Sequence, residues 1–377
     1  MRMFFGFLIL SGHLFSQSVA QEKFTQGEPL KPCCCNRPAC GFSAPAAFDL
    51  KKSYFDDWTF FADASFTYWY AREDGLYLAE NAIFGVNSLN TVAAPETSFL
   101  TPEHEYEPGF KVGIGAISGQ EWNMRLEYTW YRGISSVNKE APANNSSFPG
   151  LGVWNIDDWF QQVGGSKSLV GTNVDAAWHL GMDIGDFELS RPFYAGCKLV
   201  ALPFAGIRTM WIRQKVNIAF TQLGAAEVFA LLPQPIHSIT SSNSWGIGPR
   251  MGLETRLLLP YSCRLEASCA GSLLISKYSQ LTHKEDGQSI ASFSSFRLKQ
   301  GNYKTVNPIA EMNLGIGWGS YLNDCKNHLD FSASYDVMVF WGQNGIRRML
   351  DNGWSGIGSD AGNLSFHGLT LMGRFDF

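Results

Sequence analysis

Between residues 121 and 131 the chain alternates without a break. Trp122, Met124, Leu126, Tyr128 and Trp130 fall on one parity, and Glu121, Asn123, Arg125, Glu127 and Thr129 on the other. A period of 2 predicts a β-strand with one apolar and one charged face. Trp122 and Trp130 close the apolar face at both ends. A tilted strand of about eight residues rises ~20–25 Å, about the height of the lipid-facing band of a membrane barrel between its aromatic girdles.

The pattern recurs. Trp58, Phe60, Ala62, Ala64, Phe66, Tyr68 and Tyr70 share a face, with Asp57, Thr59, Asp63, Ser65 and Thr67 opposite. Phe110, Val112, Ile114 and Ala116 follow, and Ser118-Gly119 turns the chain into the next strand, as in a hairpin. Val174, Ala176, Trp178, Leu180, Met182 and Ile184 alternate with Asp175, His179 and Asp183; residues 193–202 and 204–218 are a noisier pair broken at Pro203. Trp245, Ile247, Met251, Leu253 and Leu257 oppose Arg250, Glu254 and Arg256, and Pro260-Tyr261-Ser262 leads to Leu265, Ala267, Leu273 and Ile275 opposite Arg264, Glu266 and Ser268. Val306, Ala310, Met312, Leu314, Ile316 and Trp318 oppose Asn307, Glu311 and Asn313, while Leu329 to Trp341 alternates with Asp330, Ser332, Ser334 and Asp336. Residues 72–108 and 134–172 read as long connections. These are rare in compact soluble domains and usual on the outer side of membrane barrels.

About eleven good strands and a few weaker ones predict an all-β fold: a transmembrane antiparallel up-and-down β-barrel of roughly 12–16 strands with long extracellular loops. The last segment points the same way. Leu369, Leu371, Gly373, Phe375 and Phe377 alternate to a terminal Phe, as bacterial outer-membrane barrels end, and Phe375 and Phe377 are expected to be read by the barrel-assembly machinery.

The N-terminus has the form of a secretory signal over residues 1–20: Arg2, an apolar core from Met3 to Leu10, and Ser18-Val19-Ala20 as a cleavage site. Residues 21–56 read as a Pro- and Cys-rich periplasmic arm, and 57–377 as the barrel. No later stretch has 18 consecutive apolar residues, so a membrane-integral chain must cross as a closed barrel. Charged residues are 17%, below the roughly 25% of soluble domains, and the net charge is −5, which gives no basic face for nucleic acid.

Of the 8 Cys, Cys33, Cys34, Cys35 and Cys40 cluster in the arm. Export to an oxidising compartment allows disulfides, some to other envelope proteins. Metal binding and free thiols stay open as alternatives; no His lies nearby to complete a metal set.

Three stretches carry a resemblance to a known family: WTFFADASFTYWYAREDGL (58–76), YEPGFKVGIG (106–115) and EWNMRLEYTWYR (121–132). RPFYAGCKLVALPFAGIRTMWIRQ (191–214), WGIGPRMGLET (245–255) and DFSASYDVMVFWGQN (330–344) continue it in order. The chain resembles the MOMP-like pore-forming outer-membrane proteins of Legionella and environmental chlamydiae. The resemblance implies a major outer-membrane barrel that conducts small solutes, and it carries no catalytic residues. The CCCNRPAC arm is reminiscent of chlamydial envelopes cross-linked by disulfides.

Nothing else suggests catalysis. His179, His328 and His367 sit on separate segments, no P-loop or dinucleotide fingerprint occurs, and the acidic pairs Asp56-Asp57, Asp157-Asp158 and Glu285-Asp286 read as solvated rather than Ca²⁺-binding. Gly113-x-Gly115 and Gly315-x-Gly317-x-Gly319 lie inside strands, where Gly serves close packing. No cofactor or metal is expected. If the apolar parity faces lipid, then Glu121, Arg125, Glu127, Arg250, Glu254, Arg256, Arg264, Glu266, Glu311, Asp330 and Asp336 line the lumen, and Trp58, Trp122, Trp130, Trp318 and Trp341 mark the girdles. Charges of both signs keep a channel wet; the competing arrangement is a barrel filled by ion pairs. The expected function is an outer-membrane porin for passive diffusion of small hydrophilic solutes and ions, as a homo-oligomer among outer-membrane lipid. The alternative is a disulfide-linked structural envelope protein or adhesin.

Overall fold

The computed structural model describes residues 58–85, 91–93, 98–118, 122–140, 150–156, 169–195, 198–222, 236–286, 296–323, 327–347 and 362–377. The expected signal segment, the expected arm with Cys33, Cys34, Cys35 and Cys40, and Glu121 lie outside the described residues.

The strands in chain order are β1 (Trp58–Glu73), β2 (Ala79–Gly85), β3 (Thr91–Ala93), β4 (Phe99–Leu100), β5 (Tyr106–Ser118), β6 (Asn123–Glu140), β7 (Gly150–Ile156) and β8 (Leu169–Ser190). They continue with β9 (Phe193–Ala195), β10 (Leu199–Gln222), β11 (Ile236–Leu258), β12 (Cys263–Asp286), β13 (Phe296–Gln300), β14 (Tyr303–Leu322), β15 (Asn327–Phe340) and β16 (Leu364–Asp376). Ten of them close a ring in the order β8-β6-β5-β1-β16-β15-β14-β12-β11-β10, with β10 returning to β8. Every pairing in the ring is antiparallel. The seam between chain ends is tied by Phe60 and Phe377, whose backbone N–H groups each donate to the other's carbonyl at 3.1 and 2.9 Å.

The class expected from alternation therefore holds, but the ring has ten strands rather than 12–16. The physical reason is length. Strands β8, β10, β11, β12 and β14 run 20–24 residues, far longer than a bilayer needs, so fewer strands use up the chain. Residues 193–202 and 204–218, read as a pair around Pro203, are one long β10 plus the short β9. Of the other short strands, β7 and β13 pair onto the ring strands β8 and β12, and β2, carrying β3 and β4, pairs with β7. Two connections are also shorter than expected: β5 already begins at Tyr106 and includes Pro108-Gly109, and β6 continues to Glu140. Both extensions keep backbone pairing where the apolar face has ended.

Connections at one end of the barrel are short, over 119–122, 191–198, 259–262 and 323–326. At the other end they are long, over 74–105, 141–168, 223–235, 287–302 and 341–363. Both Trp58 and Phe377 stand at the short-turn end. One short turn places Tyr261 and Ser262 at φ 61° each, the left-handed pair that tightens a two-residue hairpin.

The interior has two layers. Toward the short turns it is mostly polar, edged by buried Phe61 and by a small apolar cluster of Val200, Leu202 and Leu258. On the long-loop side it is apolar, with Trp69, Tyr131, Trp178, Met182, Ile184, Met210, Tyr278, Phe340 and Phe366 fully buried. This corrects one strand of the sequence reading. In β8 the apolar parity (Val174, Ala176, Trp178, Leu180, Met182, Ile184) points inward and is buried, while Asp175 and His179 point outward. The inward face of β8 turns polar only below, at Asp186 and Ser190. Alternation fixes two faces, but it does not say which one meets lipid when the interior itself is apolar.

Candidate functional site

The polar layer surrounds a cavity of about 180 Å³. All the lumen residues expected from the sequence that the structure describes line it: Arg125, Glu127, Arg250, Glu254, Arg256, Arg264, Glu266, Glu311, Asp330 and Asp336. They come from several strands of the ring, each delivering its inward parity at the same height.

Their charges are paired across the lumen. Arg208 on β10 donates to Asp186 on β8 at 2.6 Å and also meets Glu311 on β14, beyond both β11 and β12. Glu311 takes a second guanidinium, Arg250, at 2.7 Å, and Arg250 also reaches Glu188. Arg125 bonds Asp63 at 2.8 Å and Glu127 beside it. Arg264 bonds Asp330 at 2.6 Å and Glu266, and Arg256 bonds Glu254 at 2.6 Å. Lys111 reaches Asp336 at 3.2 Å, and Thr370 donates to the same carboxylate at 2.7 Å. Near the seam, Asp376 accepts from Arg374 at 2.7 Å and pairs with His328 at 3.0 Å. Several of these groups are almost wholly buried, so each carboxylate needs its cation: an uncompensated charge there costs roughly 3–5 kcal/mol.

Two glycines clear the way for two of the pairs that cross a single intervening strand. Gly113 stands between Asp63 and Glu127 in register, and a Cβ there would lie 2.6 Å from an Asp63 carboxylate oxygen. The Asp63 carboxylate thus lies over β5 to meet Arg125 on β6. Gly317 does the same for Arg264, whose guanidinium crosses β14 to Asp330 on β15; a Cβ there would lie 2.6 Å from Arg264 Cζ.

Several partners escape the sequence reading. Asp63, Lys111, Arg374 and Asp376 share parity with polar positions already recognised, so the same alternation could find them. Arg208, Asp186 and Glu188 could not be found that way, because the pattern near β10 is noisy and that of β8 changes character along its length.

Above the polar layer the lumen is crossed by packed rings. Trp69 lies 6.1 Å from both Tyr131 and Phe366, and Phe366 lies 5.3 Å from Tyr131 and 5.6 Å from Phe340. The segment after β15 folds in over them: Gln343 Nε2 donates to Ser244 Oγ at 2.9 Å, Tyr278 donates to the Gln343 carbonyl at 3.0 Å, and Asn344 Nδ2 donates to the Asp74 carbonyl at 2.8 Å.

Outside, Trp58, Trp122 and Trp318 point outward at the short-turn end, and Trp130 and Trp341 at the long-loop end. Trp211 and Trp245, absent from the expected girdle, also point outward and pair directly across β10 and β11. Among the described residues Cys263 and Cys269 are free thiols. His104, in the connection before β5, has its pKa lowered by burial and by the nearby Arg72 charge. Its ring bonds Ser135 Oγ at 3.0 Å and packs on Trp178 at 5.4 Å.

A closed antiparallel ring with a broad outward apolar band and alternating inward charge defines an outer-membrane β-barrel. The chain belongs to the Legionella major outer membrane protein family: residues 64–377 match the family described as Legionella pneumophila major outer membrane protein precursor. It is a protein of the outer membrane. Among solved structures it is similar to the outer membrane protease OmpT of Escherichia coli, at 8% identity and TM-score 0.35, covering 87% of this chain and 99% of that one. It is also similar to a major outer membrane protein of Thermus thermophilus, at 10% identity and TM-score 0.31, covering 85% and 100%. At such scores these likenesses carry no argument about function. No curated protein matches the chain.

Proposed function

We propose that this barrel is a narrow pore through which small hydrophilic solutes and ions diffuse passively. The observation that carries the reading is the convergence of ten expected lumen residues, of both signs, on one cavity. Ion pairs spread across a lumen hold water and set a transverse field that favours polar over apolar solutes. A ten-stranded ring is only a little wider than the eight-stranded barrels that side chains fill, so the conduit is narrow. The outward tryptophans take the part of two lipid girdles, and Phe375 and Phe377 that of an assembly signal. The role is transport, not catalysis, and the unit is a homo-oligomer.

A second reading has one observation in its favour: the packed layer of Trp69, Tyr131, Phe340 and Phe366 crosses the described lumen above the polar cavity. A structural envelope protein would be closed at this layer at all times. Purified barrel in planar bilayers separates the two. Small ohmic steps that scale with salt support the pore; no steps from correctly folded protein, together with reductant-sensitive multimers, support the structural role.

A further inference from the structure

We propose that the outward face of β10–β14, at the long-loop edge of the apolar band, is a binding site for the phosphate headgroup of anionic lipid in the outer leaflet. The central feature is Lys277 and Lys304. They are directly opposed in register across β12 and β14. Both point outward: their neighbours Ser276 and Tyr278 are buried at 0% and 1%, and Tyr278 packs inside the barrel against Tyr303 at 5.9 Å. Among the described residues no carboxylate pairs with either lysine. Below them on the same face lie Ile275 and Val306, 64% and 60% exposed, which belong to the lipid band. Trp245 stands directly beside Lys277 in register.

A single lysine at a membrane edge extends its amine to water and needs no ligand. Two in direct cross-strand opposition repel each other, and an anion between them turns that repulsion into attraction. The cationic field continues sideways. Arg213 stands two strands from Lys277 and two residues beyond Trp211, the β10 residue level with Trp245 and Lys277, so ~12 Å away at the usual strand spacing and rise. Arg213 and Arg132 share one carboxylate, Asp183, so that cluster keeps a net positive charge. Arg132 also lies over the Trp130 ring at 5.0 Å, at girdle height. Cations, girdle tryptophans and lipid-facing aliphatics at one level match a headgroup phosphate with its acyl chains running down the barrel wall. This inference concerns the outer wall and does not depend on conduction through the lumen.

The test uses tryptophan quenching of the whole refolded barrel in phosphatidylcholine vesicles containing brominated phosphatidic acid or brominated phosphatidylcholine. The wild type is expected to prefer the phosphatidic acid. Two lysines contribute about a kcal/mol each near such a surface, so Lys277→Gln with Lys304→Gln should weaken the preference roughly thirtyfold. Lys277→Glu provides a second arm: it pairs with Lys304, so it should fold at least as stably and still lose the preference. Lys198→Gln, at the short-turn end, should keep it. The proposal is overturned if the wild type shows no preference, if both lysine variants retain it, if Lys198→Gln loses as much, or if millimolar inorganic phosphate displaces the lipid as a free-anion site would allow.

Discussion

Inside the barrel the Tyr131 hydroxyl donates to the Trp69 backbone carbonyl at 3.3 Å, and the two rings lie 6.1 Å apart. Tyr131 stands on β6 and Trp69 on β1, with β5 between them, so this contact spans the lumen side of three strands. It sits where the polar layer ends. The Trp69 indole N–H is satisfied by Thr370 Oγ1 at 3.2 Å, which ties the apolar layer to the polar one below.

Removing this contact should widen the path. Trp69→Ala deletes the ring that touches both Tyr131 and Phe366, and larger single-channel steps in planar bilayers are expected. The same change should destabilise the barrel by about 3–5 kcal/mol in urea, as for buried large-to-small changes. Steps unchanged in a folded variant would mean that solutes do not pass through this layer.

The ion pairs give a sharper stability test. Arg264→Gln leaves Asp330 and Glu266 buried without their cation, and a loss of about 3–5 kcal/mol is expected. Adding Asp330→Asn should recover part of it, because the uncompensated charge is then removed. Equal losses in the single and double variants would show that the pair is not coupled.

Selectivity should respond to sign. Arg250→Glu replaces a lumen cation that meets Glu311 and Glu188 with a third carboxylate. Reversal potentials measured across a salt gradient should shift toward cations. A folded variant with the wild-type reversal potential would place Arg250 away from the conducting path.

A side chain at Gly317 should cost stability, because the Arg264 guanidinium it would displace is held by Asp330 and Glu266. Gly317→Ala puts a methyl against the Arg264 guanidinium, and overpacking of this kind costs about 1–3 kcal/mol. Gly373→Ala is the comparison: its nearest side-chain atom would be 3.5 Å away, an ordinary contact. Urea midpoints for the two variants should differ; identical midpoints would remove the close-approach role.

His104 should make one loop contact pH-dependent. Its pKa is lowered in the folded state, first by burial and then by Arg72. The neutral ring is therefore the folded form, and its contribution is present above the ordinary histidine value near 6.5 and is lost as pH falls toward the lowered value. Hydrogen-exchange protection at residues 98–106, corrected for the intrinsic pH dependence of exchange, should fall on acidification in the wild type and stay flat in His104→Gln. A wild type with no acid dependence would contradict the assignment.

How much is legible in the sequence differs strand by strand. In β6 the inward residues near the short turn (Asn123, Arg125, Glu127) are polar and the outward residues are not, so alternation orients the strand; in β1 it does so from Asp63 onward. Arg125, Glu127, Glu254 and Glu311 follow the same parity rule. β8 reads inside out, because its inward face carries Trp178, Leu180 and Met182 into an apolar layer that no local pattern announces. The strand count is overestimated for a related reason: above the lipid band the outward face becomes polar, as at Asp183 and Arg213, and the alternation that marks a strand disappears while its backbone pairing goes on.

The 121–131 alternation and its recurrence along the chain determined by themselves an all-β fold of two-faced strands, because a period of 2 sorts side chains onto two faces whatever their neighbours are. Only the tertiary structure decided that the ring has ten strands, that Arg208 meets Glu311 across it, and that Lys277 stands against Lys304 on its wall. Those facts depend on register between segments far apart in sequence. Register is set by backbone pairing around a closed ring, and no single strand contains it.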